Sequence, residues 1–391
     1  MRCLFHECCF VVFAILISPC TVQPQTTLLR GQLSGWSFVS EKSWSDGQFG
    51  LRYIPEFSIE EIVSDKAAVD MEISLNAFGS EKFDSKDSFF DNGELKAYRL
   101  WFRFVTSQFE ARAGLQKINF GPALLLRPLM WFDRIDPRDP LRLTDGVYGL
   151  LLRYTLLNNA NIWLWGLYGN DKAKGWEIIP TKDHTIEYGG RMQYPLLTGE
   201  IAFSYHHREV DLNEGLLFDT SFTRFSNFSK DNLTENRFAL DGTWDIGVGL
   251  WFEAVVIHQD LDIFQFQYQN FFMVGTDYTF GLGNGLHVLG EHLLFSLSRD
   301  PFGTDEDINL SAMSADYNLG LLDRLRAIIY YNWETEQFLR FASWSRIYDK
   351  WSIFVNAFWN PEETVSIGFL SEAQATFGAG KGMQLIVVFN H

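Results

Sequence analysis

The chain has 391 residues and is acidic, with 32 Lys and Arg against 49 Asp and Glu and a formal net charge of −17. This balance argues against nucleic acid as a partner, because phosphate binding requires a basic surface. An apolar content of 47% excludes intrinsic disorder, and an aromatic share of 16% is typical of membrane barrels, whose aromatic girdles lie at both lipid interfaces.

Residues 1–25 are predicted to form a signal peptide. Arg2 supplies a positive charge, and an apolar core follows over residues 10–17 (FVVFAILI) that is too short to span a bilayer. Cleavage is expected near Gln25, and lipidation of Cys20 is the alternative. All four cysteines lie in this leader, so the folded chain is expected to hold no disulfide, thiolate metal site or cysteine nucleophile.

From residue 26 onward the recurring signal is a period of two, which places successive side chains on opposite faces of a strand. Over 69–77, for example, Val, Met, Ile, Leu and Ala alternate with Asp, Glu, Ser and Asn. The same pattern recurs over 98–104, 109–116, 147–156, 201–207, 237–244, 272–280 and 351–359. The apolar faces are rich in Phe, Leu and Tyr and the opposite faces carry charges of both signs, which favours lipid outside and water inside.

Connections between the predicted strands alternate in length. The short ones lie at 158–159, 283–285 and 320, and the long ones at 80–93, 171–183, 211–233, 259–267 and 299–307. Tight turns at one rim and long loops at the other are the arrangement of outer-membrane barrels. The chain is therefore predicted to be all-β, a single antiparallel transmembrane β-barrel over 26–391 with about 18 strands, or 16 as the alternative.

The last residues, 383–391 (MQLIVVFNH), are predicted to form the closing strand of this barrel. Closure pairs this strand with the first one, near 29–40, and leaves no open sheet edge.

The segment 121–146 (GPALLLRPLMWFDRIDPRDPLRLTDG) interrupts the alternation between two predicted strands. Its apolar residues need a protein surface to pack on, and its prolines prevent another strand. We expect the segment to fold against the inner wall of the barrel. Its arginines and aspartates are predicted to line the narrowest point of the lumen: Arg127, Asp133, Arg134, Asp136, Arg138, Asp139, Arg142 and Asp145.

Catalysis or calcium binding by the four aspartates of this segment is the alternative. Arginines stand beside nearly all of them, which favours ion pairs over a general base. Elsewhere, His287, Glu291 and His292 lie on a predicted strand, where the two histidines point to opposite faces and cannot share a metal. Ser204 and His206 share a strand face, but no nucleophile motif supports them. The chain is predicted to be no enzyme and to hold no metal or cofactor.

The stretch from Arg112 to Gly121 (RAGLQKINFG) resembles a strand of bacterial outer-membrane porin-like barrels, in which R-x-G-x-Q precedes an aromatic, a glycine and a long loop. The alginate-export family and related solute-specific porins show this pattern. The resemblance implies a passive channel whose selectivity comes from inward charges and an inward-folded loop. For an anionic polysaccharide it implies a basic lumen, with these candidates on the inferred polar faces: Arg99, Arg103, Arg112, Lys117, Arg153 and Arg237.

The sequence thus predicts an outer-membrane channel of a Gram-negative bacterium, passing hydrophilic solutes or oligosaccharides and polysaccharides by diffusion. Its expected partners are membrane lipid, the barrel assembly machinery and the solute, with a homotrimer as the assembly common in porins. The alternatives are a non-conducting barrel for envelope assembly, polysaccharide handling or surface binding, an outer-membrane lipid hydrolase, and a soluble secreted β protein.

Overall fold

The structure, a computed structural model, describes residues 26–41, 47–82, 93–177, 179–211, 233–260, 266–361 and 380–391. The predicted signal peptide and Cys20 lie outside these residues. The described residues form eighteen strands: β1 Thr26–Ser40, β2 Gln48–Ser64, β3 Ala67–Lys82, β4 Glu94–Thr106, β5 Phe109–Gln116, β6 Val147–Thr155, β7 Asn161–Tyr168, β8 Ile186–Leu196, β9 Gly199–Glu209, β10 Thr234–Asp245, β11 Gly249–Gln259, β12 Tyr268–Phe280, β13 Leu286–Ser298, β14 Glu306–Asn318, β15 Asp323–Asn332, β16 Gln337–Ile347, β17 Trp351–Trp359 and β18 Lys381–Asn390.

Every strand pairs antiparallel with its sequence neighbours, and the sheet closes on itself. The closing seam joins β1 to β18, with a register that runs from Gln32 opposite Asn390 to Ser40 opposite Gly382. This confirms the predicted all-β barrel, its eighteen strands and its closing strand, and the sixteen-strand alternative is wrong. Closure leaves the backbone donors and acceptors of the strands paired, as a membrane interior requires.

The connections divide between two rims. Turns of two to five residues lie at one rim, the turn rim, for example 65–66 between β2 and β3 and 281–285 between β12 and β13. At the opposite rim, the loop rim, the ends of the strands are joined by the longer connections, including all five that the sequence predicts. Residues 83–92, 212–232 and 261–265 of these connections lie outside the described residues. The connection between β15 and β16, residues 333–336, is short although it lies at the loop rim.

Exposure in this barrel is inverted relative to a water-soluble protein. On β10, Phe238 and Leu240 face outward and are 44% and 43% exposed, whereas the inward Arg237 and Asp241 are 2% and 3% exposed. An apolar outer belt suits lipid and not water, which removes the soluble alternative. In the described part of the chain no helix is long and apolar enough to cross a membrane.

The lumen is partly filled by protein. The connection between β5 and β6, residues 117–146, is here called the inward loop. It lies inside the barrel, with Leu126, Met130 and Trp131 at most 2% exposed. Its apolar side chains form one continuous core with inward residues of β7 and of the wall from β10 to β17. The predicted packing of this segment against the inner wall is therefore present in the structure.

Candidate pore constriction

The inward loop begins directly after β5, where hydrogen bonds of Gln116 hold the backbone to the wall. At the end of β5, the side-chain amide of Gln116 donates to the carbonyl oxygens of Arg112 and Gly149, at 3.1 and 3.0 Å.

Within the inward loop, aspartate side chains accept backbone N–H groups that a strand would pair with its neighbour. Asp139 accepts from the backbone N–H of Leu141 at 2.9 Å and of Leu143 at 3.2 Å. Such aspartate turns, with the prolines of the loop, prevent a strand from forming here.

Two wall carboxylates hold the backbone of the inward loop. Glu291 on β13 accepts from the backbone N–H groups of Leu124, Leu125 and Leu126, at 2.7, 2.9 and 2.5 Å. Glu253 on β11 accepts from those of Ala123 and Leu129, each at 2.9 Å. Both carboxylates are buried, at 1% and 4% exposure for Glu253 and Glu291. Neither has an ion-pair partner within the described residues. Their oxygens are instead satisfied by these five backbone N–H groups and by the indole N–H of Trp251, which donates to Glu291 at 3.1 Å.

Aromatic packing adds a second attachment. Phe132 contacts Trp165 of β7 edge-on, with ring centroids 5.5 Å apart, and His206 of β9 at 5.0 Å. Phe120 stacks on the same Trp165 at 5.7 Å. These contacts place the inward loop against the β7–β9 side of the wall as well as against β11 and β13.

Most charges of the inward loop are engaged in its own folding. Arg127 pairs with Asp133 at 2.9 Å, and Arg138 pairs with Asp136 at 3.1 Å. Arg127, Asp133 and Arg138 are buried. Asp145 pairs with Lys96 of β4 at 2.6 Å. Arg142 is exposed to the lumen, and burial raises the pKa of Asp139.

Of the predicted basic residues, Arg99, Arg103, Arg112, Arg153 and Arg237 lie on inward strand faces, whereas Lys117 lies at the start of the inward loop. Arg99 donates to the carbonyl oxygen of Thr144 at 3.1 Å, which ties the end of the inward loop to β4. Arg103 pairs with Asp70. Arg112 and Arg153 both reach Glu110, at 2.8 and 3.8 Å. The inward face of β4 to β6 is therefore basic, and three of its arginines are paired with carboxylates of the wall.

A second segment enters the lumen, which sequence reasoning missed. The connection between β7 and β8, residues 169–185, was predicted only as a long rim loop; it is here called the second inward loop. Trp176 is 6% exposed, and its indole N–H donates to the carbonyl oxygen of Arg127 at 2.8 Å. A tryptophan within an otherwise charged rim loop was the available signal, because such a side chain needs a surface to cover it.

Beneath the second inward loop lies a buried ion network. Arg208 of β9 makes a two-bond contact with Glu235 of β10, at 2.6 and 2.9 Å. Arg237 contacts Glu235 and also Glu177 of the second inward loop, the latter at 2.7 Å. All four side chains are at most 2% exposed. Arg237, predicted to line the pore, thus holds the second inward loop in place.

The backbone at Gly175 gives a direct test of how the two loops dock. A Cβ at this position would lie 1.6 Å from the carbonyl oxygen of Met130, and its φ of +53° already disfavours other residues. Gly175→Ala should therefore lower the thermal stability of the folded barrel and open the second inward loop to proteases. Gly169→Ala is the matched control, because Gly169 also has positive φ but nothing lies within 4 Å of its Cβ. Equal effects of the two variants would contradict the docking described here.

The inward loop borders several cavities, of which three bear on a path through the lumen. One of about 580 Å³ opens toward the loop rim and is lined by Arg52, Lys96, Arg134 and Lys172 among others. One of about 420 Å³ lies toward the turn rim, beside Arg30 and Glu56. Tyr98 and Leu143 line both of these cavities. A third, of about 280 Å³, lies between the inward loop and strands β13 to β15.

The candidate catalytic and metal residues are engaged otherwise. His206 accepts from the indole N–H of Trp165 at 3.1 Å and contacts Glu187 at 3.2 Å, while Ser204 accepts from Arg191 at 2.9 Å. His206 and Ser204 are both fully buried. No group of three potential metal ligands occurs among the described residues.

His287 and His292 also have separate environments. His287 faces the lumen and contacts Asp277 at 2.9 Å, and His292 faces outward, where its ring contacts the hydroxyl of Ser311 at 2.9 Å.

Comparison with known proteins identifies the fold. No family model and no curated protein matches the sequence. The anion-selective porin from Comamonas acidovorans superposes with a TM-score of 0.52 and 13% identity, covering 94% of this chain and 100% of the porin. OmpT, an outer membrane protein of Vibrio cholerae in its trimer form, gives 0.52 and 11%, with 94% and 100% covered. OmpF of Salmonella typhi, in complex with daunomycin, gives 0.51 and 9%, with 93% and 97% covered.

These likenesses show the fold. The chain has the closed antiparallel barrel of the bacterial outer-membrane porins, which confirms the porin-like resemblance drawn from its sequence. Barrels of this construction, with an apolar outer belt and long loops at a single rim, are those of the Gram-negative outer membrane, where the sequence places this chain.

Proposed function

We propose that the chain is a passive channel of the outer membrane, narrowed by its two inward loops. The observation that carries the proposal is that, among the described residues, the two loops leave part of the lumen unfilled by protein. The cavities toward the loop rim and the turn rim, of about 580 and 420 Å³, share Tyr98 and Leu143 in their linings. A solute crossing the barrel would pass between these two side chains, from one cavity to the other.

Charged side chains along this route would set the selectivity. The larger cavity is lined by five basic side chains, Arg52, Lys96, Arg134, Lys172 and Lys174, against three acidic ones, Asp133, Asp145 and Asp171. Such groups raise the local concentration of counter-ions, and the width at the narrowest point limits solute size. Diffusion through the barrel involves no chemical step, so the proposed function is not enzymatic.

The remaining parts of the proposal concern partners. The outer belt would contact membrane lipid, the barrel assembly machinery would insert the chain, and hydrophilic solutes would occupy the lumen. A homotrimer is proposed as the assembly, in keeping with the trimer form of the OmpT structure from Vibrio cholerae. The retention of folded trimers on electrophoresis without heating would support this assembly, and a folded monomer alone would overturn it.

Current through planar bilayers tests the channel directly. Purified, folded protein should give discrete conductance steps, and Leu143→Ala should enlarge them, because it shortens a side chain at the proposed narrowest point. Leu157→Ala is the control, since Leu157 lies in a turn and is 93% exposed. A complete lack of steps from folded protein would favour the non-conducting barrel instead.

A further inference from the structure

The cavity of about 280 Å³ between the inward loop and strands β13 to β15 has an apolar floor. Leu289 and Ile328 contribute from the wall, and Leu124 and Ile135 from the inward loop. Leu124 is 52% exposed to this space, although the next residues, Leu125 and Leu126, are buried. A large apolar side chain that is open to the lumen, beside two buried leucines, offers a contact surface for an apolar group.

The rim of the same cavity is strongly basic. Lys117 and Arg142 come from the inward loop, and Arg324 and Arg326 from the start of β15. The two β15 arginines share a single carboxylate oxygen of Asp316, at 2.8 and 2.7 Å. Lys117 and Arg142 make no ion pair within the described residues. Arg127 lines the cavity too, but it is paired with Asp133. Apart from that pair, four cations among the described residues face one carboxylate, a formal excess of three positive charges.

The cations crowd one another because they share a partly enclosed space. Burial, followed by the like charges of Arg326, Arg324 and Arg127, lowers the pKa of Arg142. Burial likewise lowers the pKa of Lys117. A bound anion would relieve this repulsion and supply the acceptors that the ammonium and guanidinium groups lack.

We propose that this cavity binds an organic anion that carries an apolar body, of the size and chemistry of an aromatic carboxylate. The anionic group would lie among Lys117, Arg142 and the β15 arginines, and the apolar body would cover Leu124, Leu289 and Ile328. A cavity of about 280 Å³ holds a single ring with its head group. This inference depends on the proposed channel function in one respect: the anion would reach the cavity through the channel.

This assignment differs from the anionic polysaccharide that the sequence resemblance implies. A sugar acid presents the same carboxylate on a hydroxylated ring, and its hydroxyl groups would lose water against the leucine floor without gaining partners. The floor therefore discriminates between two anions that the basic rim alone would treat alike.

Calorimetric titration of the full chain, folded in detergent, tests the site with three probes. Benzoate should bind more tightly than glucuronate, which shares its charge, and more tightly than benzamide, which shares its ring. Lys117→Gln combined with Arg142→Gln should weaken benzoate binding about tenfold or more, the scale of losing one charge-assisted hydrogen bond. Leu124→Gln should reduce the preference for benzoate over glucuronate.

Arg299→Gln is the matched control, because Arg299 is exposed in a rim connection and takes no part in the cavity. Lys117 and Arg142 lack partners in the described chain, so their loss should leave the barrel folded, which heat-modifiable electrophoresis verifies. Equal affinities for benzoate and glucuronate, or unchanged benzoate binding in the double variant, would overturn the inference. Benzoate binding without conductance would refute the channel and support this site. Conductance without benzoate binding would support the channel and refute this site.

Discussion

Replacing both Glu253 and Glu291 by alanine should release the inward loop, so that trypsin cuts the folded barrel after Arg134 and Arg138. The two carboxylates accept five backbone N–H groups of the loop, within residues 123–129. Each buried N–H left without an acceptor costs about 1–3 kcal/mol. We expect the loss of all five hydrogen bonds to outweigh the aromatic contacts at Phe120 and Phe132, since such contacts contribute about 0.5–1.5 kcal/mol each.

Cleavage is measured by mass spectrometry of the digested, folded protein before and after substitution. In the unaltered chain Arg138 is 2% exposed, so the bond after it should resist trypsin. Glu306→Ala is the control, because Glu306 is exposed at the loop rim and holds no part of the inward loop. If the double variant resisted trypsin as well as the control, the loop would be held by side-chain packing and not by the carboxylates.

Arg208→Met should destabilise the barrel by about 3–5 kcal/mol, the cost of leaving buried carboxylates without their cation. Arg208 is fully buried and contacts both Glu235 and Glu177, the latter at 3.4 Å. Its removal leaves Glu235 with one cation among the described residues, Arg237, beside the amide of Gln259, and it weakens the attachment of the second inward loop. The change in the free energy of unfolding is read from the urea midpoint of the folded protein in detergent.

An exposed ion pair provides the comparison. Lys182 lies 3.4 Å from Glu209, and both side chains are about one-third exposed. Lys182→Met should change stability by about 0–1 kcal/mol, since solvent screens such pairs. Similar urea midpoints for the Arg208 and Lys182 variants would show that the buried network does not contribute to stability as described.

The strands were predictable because their signal is local. Alternation such as that over 69–77 assigns each residue to a face, and the alternating lengths of the connections assign each hairpin to a rim. Closure then requires the last strand to meet the first, which is why residues 383–391 could be paired with 29–40 without any long-range information.

The attachment of the inward loop was not predictable, since it depends on residues far apart in sequence. Glu291 contacts Leu124 across 167 positions, and no local pattern connects them. One signal was present nonetheless. On the inward face of β11, Glu253 stands among Trp251, Val255 and Ile257. An inward face this apolar indicates that protein, and not water, covers that part of the wall.

The roles of the charged residues in the inward loop were also only partly predictable from the sequence. Their alternation along 127–145 predicts ion pairs, and the pairs Arg127–Asp133 and Arg138–Asp136 are present. Sequence spacing could not distinguish charges used for folding from those left to the lumen, because that depends on which side of the loop meets the wall. Arg142 and Lys117 remain open to the lumen, and they belong to the basic cavity.

The central claim is that the inward loop narrows an open channel, and single-channel conductance tests it most directly. Recordings should compare the unaltered protein with a variant in which residues 122–143 are replaced by a short glycine-serine linker, both shown to be folded. We expect discrete steps from the unaltered protein and several-fold larger steps from the variant. The same conductance in both proteins, or none in either, would contradict the account.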